Sequence, residues 1–99
     1  MSRSFHLTIL TPQKTVFEGE VVSLMVPGEC GYLGVLAGHA PLISSLAPGV
    51  ISFRSETGQL QQLTIQSRGF LEVSSSKAHV LLTSYDESAP VGASVSQNN

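Results

Sequence analysis

The stretch GECGYLGVLAGHAPLISSLAPGV, residues 28–50, decides how the chain is read. Glycine and proline interrupt it repeatedly, yet Leu33, Val35, Leu36, Leu42, Ile43 and Leu46 return between the breaks. A helix needs apolar positions at a 3.6-residue period without such interruptions. A phosphate-cradling loop has to open into a helix, and here a strand pattern and Pro41 follow instead. The glycines therefore read as turns around two short strands, YLGVL and PLISSL, the second closed by Ala47-Pro48-Gly49.

Outward from this segment the period stays at two. FHLTILT places Phe5, Leu7 and Ile9 on one face before Pro12 breaks the strand. TVFEGEVVSLMVPG carries Val16 and then residues 21–26, with Gly19 expected as a bend or bulge between two strands. GVISFRS and LQQLTIQS flank the turn Glu56-Thr57-Gly58-Gln59 and read as a hairpin with Ile51, Phe53, Leu63 and Ile65 inward. RGFLEVS and AHVLLTS read as a second hairpin, with Leu71, Val73, Val80 and Leu82 inward. Short strands with a turn roughly every 8–12 residues describe an all-β sandwich or barrel. The expected architecture is a flattened antiparallel β-sandwich of about ten short strands over residues 1–85. Residues 86–99, DESAPVGASVSQNN, are small and polar and are expected to be a disordered tail.

The 99 residues suit one domain, and 41 % hydrophobic content supplies a core without staples. Only 12 % are charged, about half the usual share, which suggests that part of the surface is covered in use. The net charge is −2, and Arg3, Lys14, Arg54, Arg68 and Lys77 stand singly, so no basic stripe marks a nucleic-acid footprint. Cys30 is the only cysteine, which removes an internal disulfide and speaks against a cysteine-based zinc site. No apolar run approaches the ~20 residues needed to cross a bilayer, so membrane association is expected only through a partner.

Candidate chemistry is sparse. His39 would need Ser44, Ser45 or Cys30 as a nucleophile and a carboxylate such as Asp86 as orienter, and no nucleophile elbow is present. The plainer reading is a turn histidine bonded to nearby backbone, or one that touches a partner. His6, His39 and His79 have no metal-ligand spacing between them, and Cys30 is expected to be a small half-buried residue. No catalytic, cofactor or metal site is expected. The residues alone describe a small β-domain that binds something.

Leu33-Gly34-Val35-Leu36, Gly38-His39-Ala40-Pro41-Leu42 and Pro48-Gly49, in this order and spacing, resemble the epsilon subunit of rotary F-type ATP synthases. LTILTPQKTVFEGEVVSLMVPGECG is similar to that family's opening strands, and RGFLEVSSSKAHVLLTS to its closing hairpin. The resemblance covers residues 5–85. It implies a non-catalytic rotor element in a ten-stranded sandwich, packed on the gamma subunit and resting on the polar loops of the c-ring. Such an element turns with these partners and couples proton flow to ATP synthesis. The resemblance also implies a c-ring contact within residues 29–39, carried by Glu29, Gly31, Tyr32 and His39. Tyr32 stands where many members have an acidic residue, and Glu29 is expected to supply that charge. Arg68 stands where many members have a glycine. The implied location is the cytoplasmic face of a bacterial plasma membrane, or the stromal side of the thylakoid. Many members continue with two helices, some of which bind ATP. Residues 86–99 lack that composition, so neither ATP binding nor helix-based inhibition is expected. A β-sandwich interaction module unrelated to ATP synthase would share the composition, but should have no affinity for a gamma subunit.

Overall fold

The computed structural model describes residues 3–85, and the tail expected to be disordered lies outside the described residues. Eight strands follow one another: β1 (Phe5–Leu10), β2 (Thr15–Gly28), β3 (Gly31–Leu36), β4 (Leu42–Leu46), β5 (Gly49–Ser55), β6 (Leu60–Ile65), β7 (Gly69–Ser74) and β8 (Lys77–Leu82). All pairings are antiparallel except that of β1 with β8, which run parallel.

The path β1-β8-β7-β4-β2-β5-β6 is completed by β3 on β2 and by a β1–β2 pairing that brings the path back on itself. The pairings define two layers. One holds the first half of β2 with β1, β8, β7 and β4; the other holds β3, the second half of β2, β5 and β6. The long strand β2 belongs to both. Its register with β5 steps from Val21 to Ser23, and the extra residue, Val22, bends the strand where it passes between the layers.

Gly19 does not divide β2, contrary to the expectation from sequence. The ladder with β1 runs through it, with Gly19 opposite Leu7. Its missing side chain makes room for a neighbour instead, since a Cβ there would lie 3.2 Å from the Phe17 ring. That ring packs on Phe53 of the other layer at 4.4 Å between centroids, tilted by 42°.

The inward faces are those the alternation predicts. Phe5, Leu7 and Ile9 from β1 meet Val21, Leu24 and Val26 from β2, Ile51 and Phe53 from β5, Leu71 and Val73 from β7, and Val80 and Leu82 from β8 in one buried cluster. Leu63 is only partly buried, at the margin of that cluster.

Candidate partner-contact site at the β2–β3 tip

The turn between β2 and β3 is narrow because Gly28 pairs with Gly31 directly across it. Three segments tie it down. The Glu29 N–H donates to the Ser45 carbonyl at 3.1 Å, and the Ala47 N–H donates to the Pro27 carbonyl at 2.8 Å. The Val50 N–H donates to the Tyr32 hydroxyl at 3.1 Å. Gly49 makes that last approach possible, because a Cβ there would lie 2.7 Å from Pro27 and 2.8 Å from the Tyr32 oxygen. The Pro-Gly pair that reads as turn chemistry thus also serves to seat Tyr32. Glu29 forms an ion pair with Arg68, which leads into β7.

Between this tip and β4 lies an open cleft of about 370 Å³, lined among others by Glu29, Tyr32, Leu33, Ile43 and Ser45. Cys30 is exposed at the turn rather than half-buried as expected, because no element among the described residues packs over the tip.

The four residues expected to share one contact do not sit together. Glu29, Gly31 and Tyr32 are at the tip, whereas His39 follows the far end of β3. Five strand steps at ~3.3 Å put roughly 16 Å between the two ends. The strand expected at YLGVL, here β3, separates the turn at the tip from the turn that carries His39. His39 is held locally: its N–H donates to the Leu36 carbonyl at 3.0 Å, and its ring Nδ1 donates to the Ala40 carbonyl at 2.7 Å. No nucleophile is hydrogen-bonded to that ring among the described residues. Asp86, the carboxylate considered for it, lies outside them.

Beyond the cleft the outer face of the first layer exposes several large apolar side chains. Ile43 is 75 % exposed, Phe70 52 % and Leu81 42 %. Phe70 and Leu81 are directly paired across β7 and β8, and Leu81 is opposite Leu10. Ile43 faces Glu72 one pair along. Exposed large apolar side chains paired in this way are candidates for covering by a partner. The sequence reading placed Phe70 and Leu81 in strands but did not join them, because their adjacency depends on the register of three strands. A second, separate strip on the other layer groups Met25, Leu36 and Leu60 around an open groove of about 400 Å³.

The far part of the first layer is charged. His6 is opposite Glu20 on β2, and its Nδ1 and Nε2 each meet a carboxylate at 3.0 Å, those of Glu20 and Glu18. Both ring nitrogens must donate, so the pair of carboxylates favours the imidazolium. The hydrogen bond that His6 donates to Glu18, then that to Glu20, holds the His6 pKa above its usual 6.5. The bond from His6, then that from Ser4, holds Glu20 below its usual 4.5. A raised histidine stabilises the fold fully below 6.5 and loses that contribution as pH rises through its folded value. A lowered carboxyl contributes above 4.5 and loses it as pH falls. His6→Gln should therefore lower the urea midpoint most between pH 4.5 and 6.5, with the deficit shrinking at alkaline pH. A deficit that is the same at every pH would contradict the charged cluster.

Comparison with known proteins gives this arrangement a family. The model of the ATP synthase, Delta/Epsilon chain, beta-sandwich domain matches residues 4–86. The ATP synthase epsilon chain of Dichelobacter nodosus is 40 % identical over 81 residues, which is 82 % of this chain and 56 % of that one. That of Bradyrhizobium sp. (strain ORS 278) is 44 % identical over 71 residues, 72 % of this chain and 51 % of that one. The chain thus spans about half the length of the curated relatives it matches. A chain of the Euglena gracilis mitochondrial ATP synthase, from a structure of its OSCP/F1/c-ring, superposes with a TM-score of 0.77 at 25 % identity, covering 84 % of this chain and 52 % of that one. A chain of the Tetrahymena thermophila mitochondrial ATP synthase shares the fold, with a TM-score of 0.68 at 13 % identity over 84 % of this chain and 66 % of its own length. An eight-stranded β-domain with this motif order and these relatives belongs to the ATP synthase delta/epsilon chain β-sandwich family.

Proposed function

We propose that this domain is a non-catalytic rotor element of an F-type ATP synthase. It binds the gamma subunit of the central stalk through the outer face of β4, β7 and β8, and turns its β2–β3 tip toward the c-ring. It does no bond chemistry; it transmits torque by holding two partners in register. The observation that carries this reading is that the exposed Phe70–Leu81 pair adjoins the tip: Ser45, directly opposite Phe70 on β4, lines the tip cleft together with Ile43. One partner seated on the row brings the tip against whatever lies beneath it.

In this reading Glu29, Gly31 and Tyr32 touch the ring and His39 does not. The bacterial sources of the relatives favour the cytoplasmic face of a plasma membrane over the thylakoid. No helix among the described residues is long and apolar enough to cross a membrane, which fits attachment through partners.

Phe70→Asp tests the assignment. A buried aromatic anchor contributes about 2 kcal/mol or more to binding, so affinity for purified gamma subunit should fall ~30-fold or further. Leu60→Asp, on the other layer, should leave it unchanged. Calorimetry showing the reverse pattern would move the gamma surface to the Met25–Leu36–Leu60 strip.

A further inference from the structure

We infer that Arg68 sets the charge and the docking preference of the β2–β3 tip. It cancels the Glu29 carboxylate and presents its own remaining donors, so the tip takes a partner loop offering oxygen acceptors rather than a cationic one. The inference rests on the reading of the tip as a docking surface.

Glu29 and Arg68 lie 39 residues apart in the chain and meet across the end of the sandwich. Among the described residues, Glu29 is the only charged one lining the tip cleft. Left alone, it would make the cleft a site for a lysine or arginine of the partner. Paired with Arg68, it is no longer a free anion. A guanidinium has five N–H donors, and the pair with Glu29 uses one nitrogen, Nη1. The Arg68 side chain is 74 % exposed, so its other donors face outward, where carboxylate or backbone carbonyl oxygens fit them.

Exposed ion pairs add little to stability, so the consequence of this one lies in the charge it presents. The pair forms readily because both backbones are already held. Glu29 is fixed by its N–H on Ser45. The Arg68 carbonyl accepts from the Thr83 N–H at 3.2 Å and from the Thr83 hydroxyl at 3.3 Å. The neighbouring Ser67 hydroxyl donates to the Ser84 carbonyl at 2.8 Å. Only side-chain freedom is lost when the guanidinium and carboxylate meet.

Cys30, exposed beside Glu29, reports the local charge without any partner. Arg68→Ala should slow the reaction of its thiol with the dianionic reagent 5,5′-dithiobis(2-nitrobenzoate) about threefold to tenfold at low salt, as expected for an unmasked carboxylate a few ångströms away. High salt should shrink the difference, a neutral disulfide reagent should show a smaller one because only the thiolate population then responds, and Glu29→Gln added to Arg68→Ala should restore the rate. An unchanged rate in Arg68→Ala overturns the inference.

The second arm is binding of the whole chain to a detergent-solubilised complex of gamma subunit and c-ring. Arg68→Ala should weaken it about tenfold, and the exchanged pair Glu29→Arg with Arg68→Glu should not restore it. Tighter binding by Arg68→Ala would identify a cationic partner loop and overturn the docking preference. A wild-type chain that binds no such complex while the thiol result holds would overturn the docking reading and leave the charge assignment standing.

Discussion

Replacing Phe53 by alanine should cost about 3–5 kcal/mol of folding free energy, the range for a large aromatic removed from a packed interior. Phe53 is 2 % exposed and sits in β5, on the inner face of the second layer. Its ring lies against Phe17 from the first half of β2, so the cavity left behind would open between the layers. A domain of this size has ~5–15 kcal/mol in total, so the loss takes a large part of it. Urea unfolding should show a midpoint lower by about a fifth or more with an unchanged slope. A loss under about 1 kcal/mol would mean that the two layers do not meet at this pair.

Gly69→Ala should be nearly as damaging, at about 3 kcal/mol, although it adds a single methyl group. Gly69 begins β7 between two neighbours, opposite Leu46 of β4 and Leu82 of β8. A Cβ there would run into the backbone carbonyl oxygen of Leu81, which cannot rotate away as a side-chain tip can. It would also lie 3.0 Å from Leu82 Cδ2. Either β7 shifts away from β8 or their pairing breaks at this end. Gly34→Ala is the matched control: the nearest atom to a Cβ there is Met25 Cε, 3.9 Å away, and stability should stay within about 0.5 kcal/mol of wild type. Equal unfolding midpoints for the two variants would contradict the close approach at Gly69.

Much of the fold was legible because strand alternation is local. Ile51 and Phe53, Leu71 and Val73, and Val80 and Leu82 declare their inward face within a few residues. Gly19 was misread for a physical reason: a glycine inside a strand pattern usually marks a break, and nothing nearby in the chain shows that the Phe17 ring needs its space. The parallel pairing of β1 with β8 was equally invisible, since it joins residues about seventy apart with no local signature.

The candidate site divides in the same way. Glu29, Gly31 and Tyr32 could be picked out from their place beside Leu33-Gly34, and the structure holds them at one turn. That His39 stands apart follows from the strand at YLGVL, whose length puts it at the opposite end from Tyr32. The Glu29–Arg68 pair and the Phe70–Leu81 row both need the order of strands in the sheet. The His6 cluster needs the β1–β2 register, although Glu18 and Glu20, two apart in one strand, hint at a shared face.

Docking on the gamma subunit of a rotary ATP synthase is the role proposed for this domain. The most direct measurement is calorimetry of the whole chain against its cognate purified gamma subunit. One-to-one binding at micromolar concentration or below is expected, with the negative heat-capacity change that burial of Ile43, Phe70 and Leu81 brings. No binding at micromolar concentration, with both proteins folded, would contradict it and leave a β-sandwich whose exposed apolar row serves some other partner.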